Sequence, residues 1–215
     1  DIYPREYIGE HQAWVEENKR PLEFSWKFYG KLGYPVFPGL FPDNGKGVME
    51  QAGMDLFSGD IFLALGAQTK AGKSSVWQAE AFYVSFTSGE GSGLAKISDG
   101  NLAGTTSLSG FGGSISFLYY IMDYLYVGVG SGAWQQKYTV EYLKKDVFID
   151  LSSKTLQDTD INSVAPLAIL SLGADIPLYH ELRALWGLDY YVAFYKQGVA
   201  DFLSFSLSVA YLMGK

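Results

Sequence analysis

The sequence predicts an all-β protein, an antiparallel eight-stranded transmembrane β-barrel with a short N-terminal amphipathic helix. Three observations support this class. Apolar residues alternate with small or polar ones in several segments, which is the period of a strand. Charged residues are concentrated in a few stretches and almost absent from others. Short connections alternate with long polar ones, as in barrels that cross a membrane.

The composition excludes several classes of protein. The chain has 215 residues, a net charge of −7, two His and no Cys. An acidic chain lacks the basic surface that nucleic acid requires, so no nucleic-acid partner is expected. Without Cys there is no disulfide and no thiolate chemistry. No apolar run reaches the roughly 18 residues of a membrane-spanning helix.

Alternation is clearest in three segments. Leu203, Phe205, Leu207, Val209 and Tyr211 are separated by Ser and Ala. The segments 182–194 and 22–28 show the same period, the latter with Leu22, Phe24, Trp26 and Phe28 on one face. The strands predicted around these segments, 21–34, 181–195 and 202–214, are each longer than the roughly 9–11 residues that a tilted strand needs to cross hydrocarbon.

Applied to the rest of the chain, the same pattern gives eight strands and seven connections. The strands are predicted near residues 21–34, 53–66, 75–87, 106–121, 124–140, 163–176, 181–195 and 202–214. Long polar loops would follow strands one, three and five at 35–52, 88–105 and 141–162. Short turns would follow strands two, four and six at 67–74, 122–123 and 177–180. The last connection, 196–201, is short for an external loop.

A soluble eight-stranded barrel, apolar inside and solvated outside, is the alternative. It requires Lys, Glu, Thr and Asn on the non-core face of each strand. Between Asn101 and Gln136 the only charged residue is Asp123, and Phe202 to Gly214 carries no charge. The second face is mostly Ser, Gly and Ala, which suits a narrow barrel interior better than a water-exposed surface.

Aromatic residues favour the membrane interpretation as well. Tyr and Trp prefer the headgroup level, where the ring is in lipid and its polar atom is wet. We expect Trp14, Trp26, Trp77 and Trp186 to be interface anchors. Other aromatics near strand ends or outward positions are Tyr119, Tyr120, Tyr124, Tyr126, Trp134, Tyr190, Tyr191 and Tyr211.

With eight alternating strands, aromatic edges, short turns and long loops, residues 21–214 resemble the small outer-membrane barrels of the OmpW-like and OmpA-transmembrane-like types. The resemblance is architectural, and no short diagnostic motif is matched. It implies a bacterial outer-membrane location and a secreted precursor whose signal peptide has been removed. Such barrels commonly finish with an aromatic residue, whereas this sequence finishes Tyr211-Leu212-Met213-Gly214-Lys215.

Charged residues on the inward face form the first candidate site. If Trp26 and Phe28 face lipid, Lys27 points into the lumen near mid-depth. The predicted lumen or constriction residues are Lys27, Asp60, Glu80, Asp175, Arg183 and Asp189. Because buried charges are costly unless paired, we expect a Lys27–Asp60 pair and an Arg183–Asp175 pair. Such a network either closes the lumen or gates a small polar conduit.

Catalytic and metal sites are not predicted. His11 precedes the first strand and His180 lies in a predicted turn beside Glu181. A triad of His180, Glu181 and Ser171 or Ser206 can be drawn, but spacing alone is weak support for it. Two separated His give no metal site. The glycine-rich pieces 89–93 and 110–113 lack the strand-then-helix context of a phosphate loop, so no cofactor is expected.

The chain divides into an N-terminal periplasmic or interfacial segment, 1–20, and the barrel, 21–215. Within 4–20 a helix would be amphipathic, with one side formed by Tyr7, His11, Trp14, Val15 and Asn18 and another formed largely by Glu6, Glu10, Glu17 and Lys19. This helix would lie in the membrane interface with Trp14 as its anchor, dock a partner protein, or be a mobile terminus.

Three functions remain open at this point. The first is a non-enzymatic barrel that passes or binds small, apolar molecules through a narrow lumen or lateral opening, as the OmpW-like resemblance implies, with Phe37, Pro38, Phe41 and Pro42 at the loop mouth. The second is a structural or interaction barrel, an adhesin, anchor or envelope-complex subunit. The third is a lipid-modifying enzyme. The expected partners are membrane lipids or lipopolysaccharide, a small apolar ligand, and an envelope protein.

Overall fold

A computed structural model describes residues 24–36, 58–87, 104–122, 124–142, 164–195 and 198–214. These residues form eight strands: β1 (Trp26–Val36), β2 (Gly59–Lys70), β3 (Ser75–Thr87), β4 (Gly104–Tyr120), β5 (Leu125–Tyr142), β6 (Val164–Tyr179), β7 (Leu182–Tyr195) and β8 (Gly198–Met213). Each strand pairs with its neighbours in the sequence, and β8 pairs with β1. The predicted antiparallel eight-stranded barrel is therefore confirmed.

The strand boundaries differ from the prediction mainly at β1, β2 and β8. β1 begins five residues later than predicted, and β2 lies several residues further along the chain. The connection predicted at 196–201 is shorter, because residues 198–201 already belong to β8. The predicted helix at 4–20 lies outside the described residues. Within the described ranges, no helix is both long and apolar enough to cross a bilayer.

The strand register shows how strongly the barrel is staggered. Starting from Trp26 and following directly paired residues around the ring gives Thr69, Trp77, Phe117, Val129, Leu170, Tyr190, Leu203 and finally Val36. The path thus returns to β1 ten residues beyond its starting point. A stagger of this size requires strands tilted by roughly 35–45° to the barrel axis.

The two ends of the barrel differ. At the turn end, residues 71–74, 121–124 and 180–181 join neighbouring strands. The longer connections 37–58, 88–103 and 143–163 leave from the opposite end, which we call the loop end. A β-bulge between Gly59 and Ile61 at the loop end of β2 shifts the pairing with β3. Such bulges re-aim the side chains beside them.

Inward and outward side chains alternate along the strands, and they differ in chemistry. The outward face carries exposed large apolar residues, among them Leu65, Phe111 and Leu207, which are 73%, 71% and 67% exposed. The inward face carries Lys27, Lys31, Glu80, Asp175, Arg183 and Asp189, all nearly or fully buried. Charge is thus inside and apolar surface outside, the reverse of a water-soluble barrel.

Candidate functional site

A first buried ion cluster lies in the lumen near the turn end. Asp175 on β6 is contacted by Lys27 Nζ on β1, and Arg183 Nε on β7 donates to Asp175 Oδ1 at 2.8 Å. The hydroxyl of Tyr120 donates to Asp175 Oδ2 at 2.9 Å. Asp175 and Lys27 are fully buried. A carboxylate that accepts three hydrogen bonds and faces two cations is well compensated for its lost hydration. We call these four residues the turn-side layer.

A second ion cluster lies further along β1. Lys31 Nζ is 2.6 Å from Glu80 Oε2 on β3 and 3.0 Å from Asp189 Oδ2 on β7. Glu80 also accepts hydrogen bonds from Tyr29 at 2.8 Å and Tyr191 at 3.4 Å. We call Tyr29, Lys31, Glu80, Asp189 and Tyr191 the mid-lumen layer. Its contacts join β1, β3 and β7 across the lumen, so the layer spans the barrel interior.

The two layers have opposite charge imbalances. The turn-side layer holds two cations, Lys27 and Arg183, and one carboxylate, Asp175. The mid-lumen layer holds one cation, Lys31, and two carboxylates, Glu80 and Asp189. Lys27 and Lys31 are four residues apart on β1, which is about 13 Å of strand. The two layers together are therefore neutral, but the lumen is polarised along its axis.

Toward the loop end the lumen becomes apolar and aromatic. Tyr191 stacks on Phe202 with ring centroids 4.6 Å apart, and Phe202 stacks on Trp134 at 5.4 Å. The rings of Phe62 and Phe82 are 5.6 Å apart, and both contact Tyr191. We call these five residues with Phe86, whose ring contacts Phe202, the aromatic cluster. All six side chains are at most 3% exposed, so they fill the lumen rather than line a channel.

Glycine at selected inward positions allows large side chains to reach across the lumen. Gly66 on β2 lies between Tyr29 and Glu80 in the strand register. The Tyr29 ring lies where a Cβ on Gly66 would be, so its hydroxyl reaches Glu80 two strands away. Gly112 receives the Phe82 ring in the same way. These positions require close approach of a ring to the backbone, which is a recognised use of glycine in strands.

The structure places most of the predicted lumen residues inside the barrel. Lys27, Glu80, Asp175, Arg183 and Asp189 all point inward, and Arg183 pairs with Asp175 as expected. Lys27 lies near the turn end instead of mid-depth, because β1 begins only at Trp26. Its partner is Asp175.

The predicted Lys27–Asp60 pair is wrong. Asp60 is exposed on the outward side at the loop end, where it accepts a hydrogen bond from Thr87 Oγ1 at 2.8 Å. The bulge between Gly59 and Ile61 changes the side-chain alternation, so Asp60 does not share the inward face of Phe62. It also lies at the opposite end of the barrel from Lys27.

Three of the predicted interface anchors point outward and are exposed: Trp26, Trp77 and Trp186. Trp14 and the predicted loop mouth, Phe37, Pro38, Phe41 and Pro42, lie outside the described residues. Tyr120 and Tyr126 lie near strand ends as expected, but their side chains are buried in the lumen, as are those of Trp134 and Tyr191. Phe24 is also inside, although the sequence pattern puts it on the face of Trp26, because it precedes β1 and turns into the turn-end opening.

Sequence reasoning missed Lys31, Tyr29 and the inward tyrosines as parts of the site. The signal for Lys31 was present, since Lys27, Tyr29 and Lys31 occupy alternate positions of one strand and must share a face. For Tyr120, Tyr126 and Tyr191 no such signal exists. An aromatic residue suits either face of a barrel strand, and only the register decides.

Nothing in the described part of the chain assembles a catalytic group around a histidine. His180 is exposed in the turn between β6 and β7, with a positive φ of 48°. Ser171 and Ser206 pair with Asp189 and Gly187, well inside the lumen and away from that turn. Among the described residues no group of three or more His, Asp or Glu could hold a metal ion.

The barrel wall is closed at its seam. All eleven residues of β1 pair with β8, from Trp26 opposite Met213 to Val36 opposite Leu203. The remaining neighbours also pair over long stretches, such as the seventeen pairs from Gly104 to Tyr120 between β4 and β5. The described strands thus leave no gap in the wall that would serve as a lateral opening.

Comparison with known proteins gives fold neighbours only. No family model and no curated protein matches the sequence. Solved structures do match. Ail, the attachment invasion locus protein of Yersinia pestis, in complex with the heparin analogue sucrose octasulfate, is 7% identical over 87% of this chain and 99% of its own, with a TM-score of 0.46. Neisserial surface protein A is 8% identical over 88% and 97%, with a TM-score of 0.47.

A major outer membrane protein from Thermus thermophilus is 13% identical, over 86% of this chain and 98% of its own, with a TM-score of 0.37. The structural neighbours are therefore small bacterial outer-membrane barrels, the class that the strand pattern resembles. At these identities the likeness concerns the fold and not the activity of those proteins.

Proposed function

We propose that this chain spans a bacterial outer membrane as a non-enzymatic barrel with a closed lumen, and that it acts through its outer face and its ends. The observation that carries the proposal is the reversed distribution of charge and apolar surface. Exposed Leu, Ile, Val and Phe side chains cover the outward face, while the charges of the turn-side and mid-lumen layers are buried and in contact with opposite charges. Water would make such an outward face costly, and hydrocarbon would not.

Complete strand pairing supports the same location. In hydrocarbon every backbone N–H and C=O group needs a partner within the protein, so a sheet crosses a membrane only as a closed barrel. The ring from β1 to β8 meets this requirement. Exposed Trp26, Tyr119, Tyr124 and Tyr211 lie near the turn end of their strands. That is where an interfacial belt of aromatic residues is expected.

Lipid is the partner that the outward face fits. An apolar groove of about 990 Å³ runs across this face. Gly30, Leu63, Leu65, Ala81 and Phe111 are among the residues that line it. Most of the lining is apolar, as expected of a surface that packs against acyl chains.

The packed interior argues against transport through the lumen. Three barriers follow one another from the turn end: the turn-side layer, the mid-lumen layer and the aromatic cluster. Their side chains contact one another across the barrel and are almost completely buried. An eight-stranded barrel has room only for such side chains. This favours an anchor or interaction barrel over the conduit expected from the sequence.

The location is tested by refolding the chain with and without detergent or lipid. We expect a folded species only with detergent or lipid, and its migration on a gel should shift on boiling. A monomer that folds in plain buffer would overturn the proposal. The closed lumen is tested in planar bilayers, where we expect no ion conductance from the wild type or from Lys27→Ala. Steady conductance that changes in Lys31→Ala would show a working conduit instead.

Binding of small apolar molecules at the loop end is the second candidate. The aromatic cluster favours it, because a ligand entering from this end meets rings instead of charges. Phe37, Pro38, Phe41 and Pro42 would then form the mouth. The test uses a variant in which Trp14, Trp26, Trp77 and Trp186 are Phe, so that Trp134 alone reports. Saturable quenching of Trp134 fluorescence by naphthalene is expected if the site exists, and a linear response would exclude it.

A further inference from the structure

We infer that the mid-lumen layer binds one small monovalent cation of the sodium or potassium class, centred on Asp189. The inference is independent of the membrane location, since it concerns the interior alone. It rests on two separate observations about the same place in the barrel. The first is the charge balance of the layer, and the second is a pair of buried hydroxyl groups that have no hydrogen-bond partner among the described residues.

The charge balance leaves one negative charge in excess. Glu80 and Asp189 face a single ammonium group, that of Lys31, at 2.6 and 3.0 Å. All three side chains are at most 7% exposed. An uncompensated charge in a buried site is strongly unfavourable. The opposite excess in the turn-side layer lies about 13 Å away along β1, where Asp175 already engages both Lys27 and Arg183.

The two hydroxyl groups flank Asp189 directly. Asp189 on β7 pairs with Ser171 on β6 and with Ser204 on β8. All three side chains point into the lumen, and Ser171 and Ser204 are 7% and 0% exposed. Neither Ser171 Oγ nor Ser204 Oγ finds a hydrogen-bond partner in the described part of the chain. A buried hydroxyl without a partner is costly, so a bound species that it can contact is expected there.

The chemistry of these groups selects the ligand. A carboxylate and two hydroxyls are hard oxygen donors, which prefer alkali and alkaline-earth cations to transition metals. The excess of one negative charge matches a monovalent ion, whereas a divalent ion would reverse the imbalance. In the next inward row toward the turn end, the ring of Tyr126 packs against Gly173 and its hydroxyl lies beside Gly187. The ion would therefore contact Asp189 on the side of the two serines.

Equilibrium unfolding of the refolded barrel tests the site, with urea midpoints read from gel migration. Samples contain sodium, potassium or N-methylglucamine chloride at one ionic strength and pH. Because a ligand that binds only the folded state stabilises it, we expect the wild-type midpoint to rise with the logarithm of sodium or potassium concentration. N-methylglucamine, which is too large for the site, should give no such rise.

Ser171→Ala/Ser204→Ala is the test variant, and Ser116→Ala is the matched control. Ser116 is also a buried inward serine, but it lies on β4 opposite Gln78 and Gly130, outside the mid-lumen layer. We expect the double variant to lose the cation-dependent slope, whatever its stability, and the control to keep it. The inference would be overturned by a wild-type midpoint that does not depend on the cation, or by a cation-dependent slope that survives in the double variant.

Discussion

Lys27 and Lys31 lie four residues apart on one face of β1, yet they contact different acids on different strands. Lys27 binds Asp175 on β6, and Lys31 binds Glu80 on β3 and Asp189 on β7. One strand thus supplies a cation to each of two separate layers. These contacts tie β1 to strands that are not its neighbours in the sheet. Side-chain bonds therefore brace the barrel across its interior, in addition to the ladder around its wall.

Replacing Asp175 should be the most destabilising single charge change in the lumen. Asp175→Asn would leave Lys27 and Arg183 buried beside each other without a counter-charge. We expect the free energy of unfolding to fall by about 3–5 kcal/mol, the usual cost of breaking a buried ion pair. Asp60→Asn, at an exposed carboxylate, should change it by less than about 0.5 kcal/mol. Urea unfolding in one detergent measures both, and equal effects would contradict the assignment.

Gly66 should not tolerate even a methyl group. The Tyr29 ring occupies the place of its Cβ, so Gly66→Ala would displace the ring and weaken the hydrogen bond from Tyr29 to Glu80. We expect a loss of about 1–3 kcal/mol, as for overpacking in a core. Gly30→Ala is the matched control, because a Cβ there meets only Leu65 at 3.7 Å. Similar unfolding midpoints for both variants would show that Tyr29 can move without cost.

The outward face should reject charge in the middle of a strand and accept it at the rim. Leu65 is 73% exposed and lies between Gly30 and Ala81 in the sheet. In a bilayer, Leu65→Arg should cost about 2–4 kcal/mol if the residue is near the midplane. Thr87→Arg, at the loop end of β3, should be nearly neutral. A neutral Leu65→Arg measured in lipid vesicles would place this face in water instead.

Two phenylalanines of β8 distinguish packing in the interior from exposure on the outward face. Phe202 is buried against Trp134 and Tyr191, whereas Phe205 points outward and is exposed. Phe202→Ala should lower the free energy of unfolding by about 3–5 kcal/mol, because it leaves a cavity. Phe205→Ala should lower it clearly less. Measuring both in one detergent tests whether the aromatic cluster is a packed core, and a small effect at Phe202 would indicate a loose, open lumen.

The strands could be predicted from the sequence because successive side chains of a strand point to opposite faces of the sheet. The alternation of Leu203, Phe205 and Leu207 with serines predicted the outward and inward faces of β8. The limits 75–87 of β3 agree with the structure. The later start of β1 and the bulge at Gly59 could not be predicted from the sequence. Both depend on how a strand fits its neighbours, and single-strand periodicity carries no information about register.

Of the candidate site, the sequence predicted mainly which charged residues point into the lumen. Arg183 and Asp175 were identified as partners because they lie on adjacent strands joined by a short turn. The contacts of Lys27 with Asp175 and of Lys31 with Glu80 join strands that are not neighbours in the sheet. Such contacts follow from the stagger of the whole ring, which no local pattern encodes. The inward tyrosines were missed for the same reason.

The seam between β1 and β8 sets the order of events in assembly. The ring is sealed by the first and the last of the eight strands, which pair along the full length of β1. A nascent chain that still lacks β8 would present two unpaired edges, which hydrocarbon does not tolerate. In the membrane location that we propose, entry of the bare chain into the bilayer would therefore follow the synthesis of all eight strands. Closure of the ring at the β1–β8 seam would then be the last step of assembly.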